Sequence, residues 1–207
     1  MSTSKCNILY FQSGGPTAVI NSSFEGLLEA FKEDKEHGKF FYSHYGVEGL
    51  INGKLEEVSL SSKVNLSFRP GSITGSLRKK LPEDPTDPLA KKILATLTKY
   101  DIDAIFVNGG NDSMDGAATL KKYVSYTHLP IKVLGIPKTI DDDLEGCDHT
   151  PGFGSAAKMV ANATISIALD DLTYKEGRIN ILETMGRDSG FVTASSVLAS
   201  LRGLKPD

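Results

Sequence analysis

The residues Pro137-Lys138-Thr139-Ile140-Asp141-Asp142-Asp143 follow directly on a short apolar run, Ile131 to Ile136, of the kind that forms a buried strand. Packing does not explain three acids, a lysine and a threonine at the end of such a strand. Side chains alternate along an extended segment, so Thr139, Asp141 and Asp143 are expected on one face, with Asp142 pointing away. A hydroxyl and two carboxylates on one face can ligate a metal ion and accept a proton from a hydroxyl. Taken alone, the heptapeptide is equally compatible with a solvated acidic turn.

Working outward, two earlier stretches repeat the arrangement of a strand broken by a polar, glycine-bearing turn. Asn7 to Phe11 is an apolar run that ends in Gln12-Ser13-Gly14-Gly15-Pro16-Thr17. Ile20, Phe24, Leu27, Leu28 and Phe31 then recur at helical spacing, which predicts a helix from about Thr17 to Lys35. Ile102 to Val107 ends in Asn108-Gly109-Gly110-Asn111-Asp112-Ser113, and a helix to about Tyr123 is expected next, with Met114, Ala117 and Ala118 on its inner face. A glycine turn that leads into a helix offers unpaired N–H groups and the positive end of a helix dipole, and it lets a ligand approach the backbone. That suits a phosphate, although an ordinary tight turn has the same composition.

Between these stretches, Phe40 to Tyr45 reads as a strand and Val58 marks a shorter one. Arg69 to Lys80 is a small-residue loop ending in three cations, either phosphate-contacting or simply solvated. After the prolines at 82, 85 and 88, Leu89, Ile93, Leu97 and Tyr100 mark a helix face. Beyond Asp143 the pattern predicts a helix from Phe153 to Leu172, a strand from Arg178 to Glu183 and a helix from Val192 to Leu201. Gly152 to Ala157 fits a dinucleotide fingerprint, but it follows a loop rather than a strand and is read as a coincidence.

Strands alternating with helices imply an α/β fold: a three-layer, Rossmann-like parallel sheet with helices on both faces. Residues 1–150 are expected to form this first domain and 151–207 the start of a second α/β domain. Ligands of such sheets bind at the carboxyl ends of the strands, so the turns at Gly14, Gly109 and Lys138 should converge.

The 207 residues are 40% hydrophobic and 24% charged, an ordinary globular composition. A net charge of -3 gives no argument for nucleic acid or an anionic membrane as partner, and neither is expected. No apolar run approaches the roughly 18 residues of a membrane-spanning helix, and a cytoplasmic protein is expected. Cys6 and Cys147 lack metal-ligand spacing and read as free thiols.

Ser-Gly-Gly at 13–15, Gly-Gly-Asn-Asp-Ser at 109–113, Pro-Lys-Thr-Ile-Asp at 137–141 and Met-Gly-Arg at 185–187, in that order and spacing, resemble the 6-phosphofructokinase family over nearly the whole chain. The resemblance implies transfer of a phosphoryl group to the 1-hydroxyl of fructose 6-phosphate, with Asp141 as the base and Mg²⁺ as cofactor. It implies that Thr139, Ile140, Asp141, Met185, Gly186 and Arg187 line the sugar pocket. Gly14, Gly15, Arg78, Gly110, Asp112 and Ser113 would bind the donor, and Asn111 and Asp143 would lie on the metal side. Arg178 matches an arginine that reaches the sugar 6-phosphate across a subunit interface, which implies a homo-oligomer, a dimer or tetramer.

Family members that use ATP usually carry glycine at the positions of Asp112 and Lys138, whereas members that use inorganic pyrophosphate resemble this chain at both. An acid beside the turn would repel the α-phosphate of a nucleotide, and a lysine can contact the transferring phosphoryl charge. Pyrophosphate is therefore the expected donor, with Asp141, Lys138 and Asp112 as the catalytic group. Asn111 stands where many members place an aspartate, so it brings an amide oxygen to the metal without charge. Family chains are substantially longer, and this sequence corresponds to an N-terminal half. An exposed sheet edge and uncovered apolar surface are then expected. The alternatives are an ATP-dependent member, a relative acting on another sugar phosphate, and an inactive phosphate-binding chain.

Overall fold

The computed structural model describes residues 5–35, 37–61 and 65–204, which fall into two units, Met1–Lys138 and Thr139–Asp207. In the first unit, β1 (Cys6–Gln12), β2 (His37–Tyr42), β3 (Glu56–Glu57), β4 (Ala104–Gly109) and β5 (Lys132–Pro137) form one sheet in the order β3-β2-β1-β4-β5. All pairings are parallel except the short β2–β3 pair. The central strand β1 is apolar on both faces, as a strand covered on both sides must be. Leu9 and Phe11 face one layer, where α3 (Pro88–Lys99) contributes Ala90, Ile93 and Leu97 and α4 (Asn111–Tyr126) contributes Ala117, Leu120 and Tyr123. Ile8 and Tyr10 face the other, against Phe24, Leu28 and Phe31 of α1 (Ile20–Glu33). Tyr10 stacks on Phe24 with ring centroids 4.3 Å apart. The expected α/β sheet with helices on both faces is therefore present. A short α2 (Glu48–Ile51) packs against α3.

Local signals account for most boundaries. Pro88 opens α3 and the Asp87 side chain accepts from the Leu89 amide at 2.7 Å, a helix N-cap. Helix α1 starts at Ile20, later than the expected Thr17, because the Pro16–Val19 backbone is still turning. The strand expected over Phe40–Tyr45 lies earlier, at His37–Tyr42: the Ser43 amide makes a final bond to β1 at Tyr10 O, and the Ser43 hydroxyl already donates to Gly46 O in the turn that follows. On α4 the inner face is Ser113, Ala117, Leu120, Tyr123 and Val124, and Ala118 is exposed. β3 and β5 are the edges of the sheet, and Leu134 on β5 is 42% accessible.

The second unit begins at Thr139 rather than after residue 150. The reason is local pairing: the Thr139 amide donates to Pro151 O at 3.0 Å, and the Thr150 hydroxyl donates to Thr139 O at 2.9 Å. The loop after β5 thus belongs with the α5 (Phe153–Asp171) that follows it. Helix α6 (Phe191–Ala194) continues as a 3-10 helix over Ser195–Arg202, and Ala157 and Ala161 of α5 are buried in this unit with Val192, Ser195 and Ala199. The strand expected from Arg178 to Glu183 does not form. Ile179 and Ile181 are 94% and 92% accessible, and an extended segment becomes a strand only when a neighbour takes up its backbone groups. Among the described residues no helix is long and apolar enough to cross a membrane.

Candidate functional site

At the carboxyl end of the first unit's sheet, the three polar turns meet as expected. The Ser13 amide donates to Asn108 O and the Lys138 amide to Gly109 O, both at 2.9 Å, so the turns after β1, β4 and β5 are tied in a row. Gly14 has φ +79°, the left-handed region that favours glycine. A Cβ on Gly109 would stand 2.1 Å from Ser113 Oγ and 2.7 Å from Ser13 O, so the close approach of these turns requires glycine there.

Two cations close on the glycines. Lys138 is 3% accessible, and its Nζ lies 3.8 Å from the point where a Cβ on Gly14 would stand and 4.0 Å from that on Gly110. A surface lysine is thereby excluded: the ammonium is held between two glycine turns. A Cβ on Gly15 would stand 3.3 Å from an Arg78 guanidinium nitrogen. Arg78 comes from the irregular segment that ends in three cations. Ser13, Gly14, Arg78, Lys79, Lys80, Asp112, Ser113 and Lys122 line a cleft of about 600 Å³ here.

Helix α4, capped by Gly110, starts at this cleft, with Asp112 and Ser113 of its first turn in the lining. Asn111 is its first residue, and Asp112 sits exposed in its first turn, where a negative charge is favourable to the helix dipole. Beneath the turns lies a buried polar layer that the periodicity did not single out. The Asn108 side-chain amide donates to the Tyr10 hydroxyl at 2.8 Å and to Ile20 O at 3.0 Å. Burial pushes the Tyr10 hydroxyl well above the ordinary tyrosine range, so it remains protonated.

In the second unit the Thr139–Asp143 loop departs from simple alternation. Asp142 has φ +57°, so the segment is not extended there, and its side chain turns inward to accept from the Thr150 amide at 2.7 Å. Its side chain is 8% accessible, which corrects the expectation that Asp142 points away. Buried Thr139 accepts through its hydroxyl from the Asp141 amide at 3.0 Å, and the Ser189 hydroxyl donates to Asp141 O. Asp141, Ile140 and Asp143 are half-buried.

Ser189 therefore brings the segment containing Met185, Gly186 and Arg187 to the Asp141 loop. The Thr184 and Thr193 hydroxyls, 2.6 Å apart, hold its start to α6. Met185 is 68% accessible, and Gly186 has φ +130°. Arg178 does not join this cluster: its guanidinium stacks over Tyr174, 3.2 Å from the ring centroid. Ser189 and Thr150 were missed by the sequence reading, and only the polar Asp-His-Thr stretch at 148–150 could have pointed to the latter. Among the described residues no three His, Cys, Asp or Glu side chains cluster in a way that could hold a metal ion.

Residues 7–203 match the phosphofructokinase family. The chain is 35% identical over 200 residues to a pyrophosphate–fructose 6-phosphate 1-phosphotransferase of Halomonas elongata, across 93% of this chain and 48% of that protein. It is 38% identical over 155 residues to an ATP-dependent 6-phosphofructokinase of Finegoldia magna, across 75% of this chain and 46% of that one. A solved pyrophosphate-dependent phosphofructokinase from Marinobacter aquaeolei superposes with a TM-score of 0.84 at 35% identity, over 94% of this chain and 49% of its own. The chain spans about half the length of the curated relatives it matches.

Proposed function

The chain belongs to the phosphofructokinase family, and we propose that it carries the donor cleft and catalytic loop of a pyrophosphate-dependent enzyme that phosphorylates the 1-hydroxyl of fructose 6-phosphate. The observation that carries the donor assignment is Lys138, whose buried ammonium lies between the Gly14 and Gly110 turns. A buried cation beside two stretches of glycine backbone suits a compact, highly charged inorganic phosphate. Asp112 at the start of α4 adds the repulsion that a nucleotide's α-phosphate would meet.

In this reading Gly14, Gly15, Gly110 and Ser113 let the donor approach the backbone, while Arg78 and Lys138 neutralise phosphate charge. Asp141 takes the proton of the sugar 1-hydroxyl as its oxygen attacks the terminal phosphorus, and the second phosphate leaves. Thr139 and Ile140 hold the sugar beside it, Met185, Gly186 and Arg187 line the sugar pocket, and Arg178 serves a neighbouring subunit of a homo-oligomer. Asn111, Asp112 and Asp143 are the residues that would hold Mg²⁺, which when bound supplies charge neutralisation between the phosphates. The setting is cytoplasmic, and the reaction is the reversible glycolytic step to fructose 1,6-bisphosphate.

Coupled assays with pyrophosphate and with ATP test the reading, alongside pyrophosphate calorimetry in Mg²⁺. Turnover of fructose 6-phosphate with pyrophosphate above that with ATP is expected. Equal or better turnover with ATP refutes the donor, and activity confined to another sugar phosphate refutes the acceptor. A second reading is a donor-binding chain that does not turn over. Tight pyrophosphate binding without turnover would select it.

A further inference from the structure

We propose that Gln12 and Asn21 are positioning residues for Arg78: their buried amides hold the irregular 69–77 segment, and that segment aims the guanidinium at the glycine turn. The link from Arg78 to a phosphoryl donor rests on the function proposed above; the anchoring does not. Both side chains are 0% accessible, one ending β1 and the other in the first turn of α1, where apolar residues would pack as well. Their polarity is used instead on the segment.

Asn21 Nδ2 donates to Arg69 O at 2.8 Å and Gly71 O at 2.9 Å, and its Oδ1 accepts from the Ile73 amide at 3.1 Å. Gln12 Nε2 donates to Asn21 Oδ1 at 3.1 Å and to Ile20 O at 3.3 Å. Gln12 Oε1 accepts from the Thr74 hydroxyl at 3.2 Å, the Thr74 amide at 3.4 Å and the Ser72 hydroxyl. Backbone groups that a helix or sheet would otherwise satisfy thus find their partners in two core amides. The Ser13 hydroxyl donates to Leu77 O at 3.2 Å and the Ser76 hydroxyl to Gly14 O, which carries the tether up to Arg78.

A buried amide spends two donors and an acceptor at fixed angles, so it fixes both the position and the direction of what it binds. Losing it frees the segment, and Arg78 then pays the ordering entropy when an anion binds.

The test is a double-mutant cycle on the full chain, with pyrophosphate in Mg²⁺ as the calorimetric probe and amide exchange read at Ile73 and Thr74. Asn21→Ala is expected to weaken binding roughly tenfold, and to change it little when Arg78→Ala is already present. Exchange at Ile73 and Thr74 should rise while β4 stays protected. If Asn21→Ala does not fold, Ser72→Ala removes one spoke of the network and should give the same Arg78-dependent loss at about threefold. Equal losses in both backgrounds, or unchanged exchange, overturn the proposal. Should the unaltered chain not bind pyrophosphate, the donor reading falls, and exchange in the variant alone decides the anchoring.

Discussion

Asp142 offers the sharpest perturbation of the Thr139–Asp143 loop, because one residue combines a left-handed backbone with a buried acceptor. At φ +57° its carboxylate takes the Thr150 amide at 2.7 Å, and Thr150 is 3% accessible. Removing the acceptor leaves that amide unpaired, at about 1.5–2 kcal/mol. Placing alanine in the left-handed region adds about 1 kcal/mol that glycine does not incur. Asp142→Ala should therefore favour local opening by roughly 3 kcal/mol, about a hundredfold faster exchange of the Thr150 amide. Asp142→Gly loses only the acceptor and should sit near a tenfold to thirtyfold increase. Asp142→Asn keeps both the acceptor and a residue at ease with positive φ, and should stay within about 0.5 kcal/mol of the parent. It gives up only the contact with His149 at 3.5 Å, whose side chain is 79% exposed. Exchange measured by NMR at Thr150 ranks the series. If alanine and glycine exchange alike, no backbone strain is relieved; if glycine matches the parent, the carboxylate does not brace the loop.

Gly109→Ala brings a Cβ to 2.7 Å from the Ser13 carbonyl, which cannot move aside, and should cost roughly 3 kcal/mol in thermal unfolding. Gly135→Ala meets Met114 Sδ at 2.4 Å, a flexible thioether that can yield, so about 1 kcal/mol is expected; equal losses in the two melts would contradict this distinction. Hydrogen bonds from the Ser67 hydroxyl, above all, and from the Ser67 and Leu66 amides hold the Glu25 carboxyl below its ordinary value of 4.5. A depressed carboxylate contributes fully above that value and loses its contribution as pH falls through the folded value, so the Ser67 amide resonance should shift on acidification below 4.5 and not in Glu25→Gln. Tyr10→Phe removes the acceptor of the Asn108 amide at 2.8 Å and should lower stability by about 1–2 kcal/mol, read from the urea midpoint.

The layered sheet was legible because its strands are apolar on both faces: Ile8 and Tyr10 on one side of β1, Leu9 and Phe11 on the other, leave no surface to expose. The meeting of the Gly14, Gly109 and Lys138 turns followed from that topology alone. What stayed hidden depends on single dihedrals or distant partners. Alternation was the wrong geometry for Asp142, since one residue at positive φ reverses the direction of everything after it. Arg178–Glu183 has the composition of a strand, but composition cannot supply the neighbour a strand needs. Gln12 was read only as part of the glycine turn and Asn21 had no role in the sequence pattern, because their partners lie some 50 to 60 residues along the chain.

The strand order also sets a sequence of events. Strand β1 can pair with β2 once residue 42 has left the ribosome, but its other flank stays open until β4, beginning at Ala104, arrives. Parallel partners so far apart in the chain join slowly, and β1 presents an unmatched apolar edge for that interval. The Ser13 amide finds Asn108 O only then, so the Gly14 turn cannot set before β4 is in place, and nascent chains halted before residue 104 would be the species that a chaperone must shield.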